Sequence, residues 1–213
     1  MEERMKNNKA TFSGEIISEF EYSHEVLGEK FYTSVLSVKR KSGVYDNIPF
    51  MVSERLVDVA ELWTGQIVML SGQIRSHNNR NGDKHKLVLF VFVREISLLD
   101  EHEKYDSNNV VIDGYICKEP IYRRTPLGRE ITDVLIAVNR AYGKSDYIPC
   151  IVWGRTAKFV GHLPVGTHIE MTGRFQSRPY TKKISEDEIE NRVAYEVSVS
   201  KIEVIEEKEN ADE

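Results

Sequence analysis

Asp146-Tyr147-Ile148-Pro149-Cys150-Ile151-Val152-Trp153-Gly154-Arg155 repeats, position for position, the frame of Asp46-Asn47-Ile48-Pro49-Phe50-Met51-Val52-Ser53-Glu54-Arg55 one hundred residues earlier. Asp, Ile, Pro, Val and Arg recur at the same spacing. The match extends outward without a gap, so that Thr11 to Arg55 lies on Val111 to Arg155 with 14 identities in 45 positions. Gly14 meets Gly114, Tyr22 meets Tyr122, Leu27-Gly28 meets Leu127-Gly128, and Arg40 meets Arg140. One inserted residue then moves the offset, after which Leu62, Gly65, Gly72 and Ser76 meet Leu163, Gly166, Gly173 and Ser177, and Ile96 meets Ile202. Order and spacing kept over such a length mean two copies of one fold. The expected division is a first domain at 9–100, a linker at 101–108, a second domain at 109–205 and an acidic tail at 206–213. Two domains of about 100 residues each suit a chain of 213.

Each copy reads as strands. In the second, Val110 to Cys117, Ile131 to Arg140, Tyr147 to Trp153, His168 to Ser177 and Ala194 to Ile205 are rich in β-branched and aromatic residues with partial alternation. Gly154 to Val160 reads as one short helix between the third and fourth strands. Five strands with a helix after the third is the layout of an OB barrel. The expected fold is therefore all-β, with two tandem five-stranded OB barrels, each carrying one short helix. Thr181 to Arg192 is expected to be a long hairpin connection, with a shorter version near Asn78 to Lys86 where Asn81-Gly82 signals a turn.

Charge is unevenly spread. Of the net −5, the stretch from Glu203 to Glu213 holds six acidic residues against Lys208 alone. Between Ser107 and Ser185 there are 12 Lys and Arg against 6 Asp and Glu, whereas Asn7 to His85 has 9 against 10. A basic half within an acidic chain is the pattern that matters for a polyanionic partner. Binding single strands without reading sequence requires cations for phosphates and exposed rings for bases. The second copy offers Arg123, Arg124, Arg140, Arg155, Lys158, Arg174 and Arg178 for the first task, and Tyr142, Tyr147, Trp153 and Tyr180 for the second. Trp153, Tyr147 and Tyr180 align with Ser53, Asn47 and Asn79, which a shared core position would hardly tolerate, so they are read as surface stacking residues. Tyr122, matched by Tyr22, is read as packing at the barrel end. The first copy has His24, Asp58, Gln73 and His77 where the second has Arg124, Lys158, Arg174 and Arg178. Its expected role is packing or dimerisation, with weak DNA binding of its own.

These residues together resemble the bacterial single-stranded DNA-binding protein family. The resemblance rests on Asn108-Asn109-Val110-Val111 with Gly114, on Pro120, Tyr122, Arg123, Arg124, Thr125-Pro126 and Gly128, on Ala137-Val138-Asn139-Arg140, on Asp146 to Trp153, and on Gly173-Arg174-Phe175-Gln176-Ser177-Arg178-Pro179-Tyr180. It covers nearly all of the second copy and reaches the first only through it. It implies sequence-independent binding of single-stranded DNA in replication, recombination or repair, with stacking at Tyr147, Trp153 and Tyr180. It also implies four OB folds per assembly, which two-barrel chains reach as a homodimer. Family members end in an acidic tail with an apolar tip containing Pro-Phe that recruits replication and repair enzymes. This sequence ends Asn210-Ala211-Asp212-Glu213 without such a tip, which sets that route of recruitment in doubt.

The competing readings are an OB-fold protein-interaction scaffold, a primosomal accessory protein with weak DNA binding, and an OB-fold nuclease. The basic and aromatic excess of the second copy argues for nucleic acid over a scaffold. Phosphate contacts and stacking admit RNA as well as DNA. No phosphate loop, nucleophile elbow or zinc spacing occurs, and the six histidines are scattered, so no catalytic residue, metal or cofactor is expected. Cys117 and Cys150 align with Ile17 and Phe50 and read as free packing thiols. Without a long apolar run or an apolar leader, the expected location is the cytoplasm, away from membranes.

Overall fold

The computed structural model describes residues 7–81, 84–100, 107–183 and 189–206. Gly82 of the expected turn, residues 101–106 of the linker, 184–188 of the long hairpin connection and 207–213 of the tail lie outside the described residues. The first repeat forms strands β1 (Asn8–Ile16), β2 (Glu21–Val26), β3 (Glu29–Lys39), β4 (Tyr45–Ser53), β5 (Ile67–Asn81) and β6 (Lys84–Leu98). They are ordered β2-β3-β4-β6-β5-β1, and β1 pairs back onto β3 to close the barrel. The second repeat forms β7 (Asn108–Ile116), β8 (Ile121–Arg124), β9 (Glu130–Asn139), β10 (Ser145–Trp153), helix α1 (Gly154–Val160), β11 (His168–Lys183) and β12 (Ile189–Val204). Its order is β7-β11-β12-β10-β9-β8, with β7 closing on β9. Both are OB-type barrels.

Alternation builds each core. On β10, Ile148, Cys150 and Val152 point inward and are buried, as Ile48, Phe50 and Val52 are on β4. Removing such a side chain from water contributes roughly 1.5–3 kcal/mol. The glycines shared by the repeats mark where strands cross closely. A Cβ on Gly14 would run into the Ser37 carbonyl oxygen, and one on Gly114 into that of Ala137. No other residue fits there.

The short helix expected in each repeat is present in the second and absent from the first. Around Arg55 to Ala60 the chain makes turns instead. Polar side chains there capture backbone groups that a helix would use: Ser53 Oγ accepts from Arg55 N at 3.1 Å and Asp58 Oδ1 from Ala60 N at 3.0 Å. Such local bonds compete with helix, and the β-branched Val57 and Val59 add to the cost. The count of five strands is also corrected, to six per barrel. The additional strands β2 and β8 follow a break in the first strand of each repeat. In the second repeat the break holds Pro120, which has no N–H to extend the ladder. In the first, Ser18 takes over with its side chain, accepting from Val35 N at 3.0 Å.

Repeated Arg and Asp form a built-in brace. Asp46 and Asp146 are fully buried; Arg40 Nε donates to Asp46 Oδ2 at 2.7 Å, and Arg140 Nη1 to Asp146 Oδ1 at 3.4 Å. The Arg40 guanidinium is held above its ordinary pKa chiefly by that hydrogen bond. Cys117 and Cys150 are free thiols; Cys150 is buried, and burial pushes the Cys117 thiol up.

The chain divides into two compact units. One holds Lys9–Val110 with Phe175–Glu196, and the other holds Val111–Arg174 with the flanking segments, including the stretch from Val197. The outer part of the β11–β12 hairpin, placed by sequence in the second domain, thus belongs to the unit of the first barrel. Within that unit Phe12 meets Phe175 at 6.4 Å between ring centroids, and Ser177 N donates to Asp46 Oδ1 at 2.8 Å. Among the described residues, no helix is long and apolar enough to cross a membrane.

Candidate nucleic-acid interface

The outer face of the sheet formed by β8, β9 and β10 carries Arg123, Tyr147 and Trp153. Antiparallel register places Arg123 opposite Ile131 and Ile131 opposite Trp153 in one row across the three strands. Tyr147, six residues before Trp153 on β10, faces the same side and is 42% exposed. Between β9 and β10 a single 3-10 turn at Ala141–Gly143 holds Tyr142 at φ 63, with its ring 98% exposed. A large ring in a left-handed conformation at full exposure has no packing role, which leaves it available to a ligand.

A groove of about 640 Å³ opens at the end of the β8–β9 hairpin, lined by Arg124, Gly128, Arg129, Glu130, Trp153 and Gly154. The Thr125-Pro126-Leu127-Gly128 turn lifts its rim, closed by Arg129 N donating to Thr125 Oγ1 at 3.1 Å. Trp153 is half-buried, its Nε1 donating to Ser198 Oγ at 3.0 Å, which fixes the indole against β12. Arg155 and Lys158, on the exposed side of α1, follow it directly.

Electrostatics within the groove are coupled. Arg124 Nη2 donates to Glu130 Oε1 at 3.3 Å, and the Tyr122 hydroxyl lies near the same carboxylate. Together, the tyrosine first, they hold the Glu130 carboxyl below its usual range. Arg124 is raised by the same set, with Tyr122 the first cause. Arg123 pairs with Asp133 at 2.5 Å and is about half exposed. Both arginines thus sit in exposed, solvent-screened pairs that a phosphate can replace at low cost.

The remaining residues separate from this face. Arg140 is braced against buried Asp146 with a side chain 35% exposed, and Arg174 is half-buried on β11. Arg178 and Tyr180 belong to the unit of the first barrel. There Arg178 bonds the buried Glu196 at 3.3 Å, and its guanidinium lies 6.0 Å from the Tyr180 ring centroid. Sequence comparison missed Glu130 and undervalued Tyr122. The ring of Tyr122 is exposed, while its Cβ lies near Gly161. The available signal was the pair of charged residues flanking a Pro-Leu-Gly turn, which a hairpin must bring together. Among the described residues, no group of three or more His, Cys, Asp or Glu could hold a metal ion.

The model of the Single-strand binding protein family matches residues 107–205. Single-stranded DNA-binding protein 1 of Staphylococcus aureus is 38% identical over 80 residues, covering 34% of this chain and 48% of that protein. The Bacillus cereus single-stranded DNA-binding protein is 34% identical over 80 residues, covering 47% of its length. The chain therefore spans about half the length of the curated relatives it matches. In fold, the wild-type single-stranded DNA binding protein from Thermus aquaticus covers 97% of this chain and 96% of its own, at TM-score 0.77 and 17% identity. A deletion mutant of the same protein superposes at TM-score 0.72 with 18% identity. That likeness gives the two-barrel fold, and the family model falls on the barrel that carries the groove. Over residues 107–205, the barrel that carries the groove, the chain is similar to the Single-strand binding protein family.

Proposed function

We propose that this chain binds single-stranded DNA without reading its sequence, through the outer face and groove of the second barrel. The observation that carries the reading is the row of Arg123, Ile131 and Trp153 beside a groove rimmed by Arg124 and Arg129. Cations flank an indole whose edge is tethered and whose surroundings are open, the arrangement for a phosphate on either side of a stacked base. Tyr147 and Tyr142 extend the stacking surface, and Arg155 and Lys158 extend the positive one. Arg178 and Tyr180, on the long hairpin, are a separate candidate cation and ring of the other unit. Arg140 contributes chiefly by bracing the buried Asp146, and Arg174 adds a half-buried cation.

The chain acts as a non-catalytic binder in replication, recombination or repair, in the cytoplasm, as a homodimer with four barrels. The same phosphate and ring contacts admit RNA as well as DNA. The test is titration with oligo-dT at low and moderate salt, followed by tryptophan emission in the wild type and in Trp153→Ala, with Trp63 as background. Tight, salt-sensitive quenching that the substitution weakens is the expected result. No binding even at low salt would overturn the reading and leave a protein-interaction scaffold.

A further inference from the structure

The two barrels differ at the end that α1 covers in the second. There α1 buries Ala157 and Val160, and Thr132 Oγ1 donates to the Ala157 carbonyl at 2.6 Å. The first barrel makes turns over the same stretch. With Phe159 as the inserted residue, Val59 aligns with Val160 and Leu62 with Leu163. Val160 is fully buried and Leu163 half-buried, whereas Val59 is 36% and Leu62 75% exposed. Leu56 is exposed as well. Apolar side chains of the kind a helix covers in one barrel thus face water in the other, and a covering partner relieves that cost.

A groove of about 490 Å³ opens here, lined by residues 54–59 and by Trp63. Trp63 Nε1 donates to the Asp58 carbonyl at 2.9 Å, its ring meets Phe20 at 6.1 Å, and Phe20 in turn meets the buried Phe50 edge-on. The lining is therefore anchored on the core. Charge at this end is reversed between the barrels: Glu54, Asp58 and Glu61 stand where the second has Gly154, Lys158 and His162. Glu54 Oε1 accepts from Lys30 N at 2.9 Å and Asp58 Oδ1 from Ala60 N at 3.0 Å, bonds that fix the carboxylates without neutralising them. Glu61 N donates to the Asp58 carbonyl at 3.1 Å, which keeps Glu61 on the same turn. Arg55, the cation of the lining, pairs with Glu29 at 3.4 Å. An acidic rim repels phosphate and attracts lysine and arginine.

We propose that this end of the first barrel is a docking groove for a basic amphipathic helix of another protein, its apolar stripe on Leu56, Val59, Leu62 and Trp63 and its cations on Glu54, Asp58 and Glu61. The inference goes beyond DNA binding: the charge of the rim excludes the phosphate backbone, so both ligands occupy the chain together. A second copy fits the groove less well. Its basic helix α1 has 7 residues and presents Phe159 as its exposed large apolar side chain, too little to cover this stripe.

The experiment uses the full chain carrying Trp153→Phe, so that tryptophan emission reports Trp63. The probe is a synthetic Leu-Lys peptide with leucines at i, i+3, i+4 and i+7, and the control has the same composition in scrambled order. A saturable blue shift of Trp63 emission with the ordered peptide, and none with the control, is the expected result. Combining Glu54→Gln, Asp58→Asn and Glu61→Gln is expected to raise the peptide Kd about 3- to 150-fold, from three exposed ion pairs, with oligo-dT affinity unchanged by anisotropy. Leu62→Ser, at a position already open to water, is expected to weaken the peptide without lowering the unfolding midpoint. Equal binding of the two peptides, or an unchanged Kd in the triple variant, shows attraction to the acidic chain as a whole and overturns the proposal. A triple variant that loses oligo-dT affinity assigns this end to nucleic acid and overturns it as well. Absence of any shift overturns it too, and self-association in sedimentation velocity that the triple variant abolishes then makes a second copy the occupant. Oligo-dT binding by the parent chain is read separately, so failure of the function proposed above is distinguished from failure of the groove.

Discussion

Trp153→Ala isolates the stacking contribution. The indole lies beside groove cations, is tethered by one hydrogen bond to Ser198, and carries no charge. Truncation therefore removes a ring face and leaves the ionic contacts in place. Loss of one stacked base costs about 1–3 kcal/mol, which is about a 5- to 150-fold rise in Kd for oligo-dT. The salt slope is expected to stay the same, because no phosphate contact is lost. Trp153→Phe keeps a ring and loses only the bond to Ser198, so it is expected to recover most of the affinity. Its stability should fall by about 0.5–1.5 kcal/mol, the usual net value of such a bond. Fluorescence anisotropy of a labelled oligo-dT measures all three proteins without relying on tryptophan, and thermal unfolding gives the stability. The reasoning is refuted if Trp153→Ala binds like the wild type, or if the phenylalanine variant binds as weakly as the alanine one.

Further outcomes follow from the groove and the frame. Arg124→Ala is expected to lower the salt slope by about 0.7 for one lost phosphate contact, read from anisotropy titrations across a salt series. Glu130→Gln removes an anion from the groove and frees Arg124, so binding tightens and the slope steepens in the same assay. Because the Glu130 carboxyl is depressed, its contacts with Tyr122 and Arg124 are fully present above the ordinary carboxylate range. They are lost only as pH falls through the lowered value, which an NMR pH titration of the Glu130 side chain would follow. Gly114→Ala forces a methyl against the Ala137 carbonyl and is expected to destabilise the second barrel by about 1–3 kcal/mol or more, seen as a lower unfolding midpoint.

The division between sequence and tertiary structure follows from the range of each interaction. The repeat, the strands and the barrel class were legible because their causes are local or periodic: alternation on β10 and β4, glycines where strands cross, and an Arg six residues before its Asp. The short helix of the first repeat was not, because its absence depends on which backbone groups Ser53 and Asp58 capture, and residue type does not reveal that. Of the candidate rings, Tyr142 and Tyr147 are exposed and Trp153 is half-buried; for Trp153 and Tyr147 the signal in the sequence was alignment with Ser and Asn, positions with few core partners. Charge alone did not distinguish Arg140, braced on a buried Asp146, from Arg124, held in an exposed pair in the groove. Only the folded chain left Val59 and Leu62 exposed where the second barrel buries Val160 and half-buries Leu163, because burial there depends on whether the segment forms a helix against its barrel. Linear alignment compares positions one at a time, whereas a surface is assembled from several strands at once.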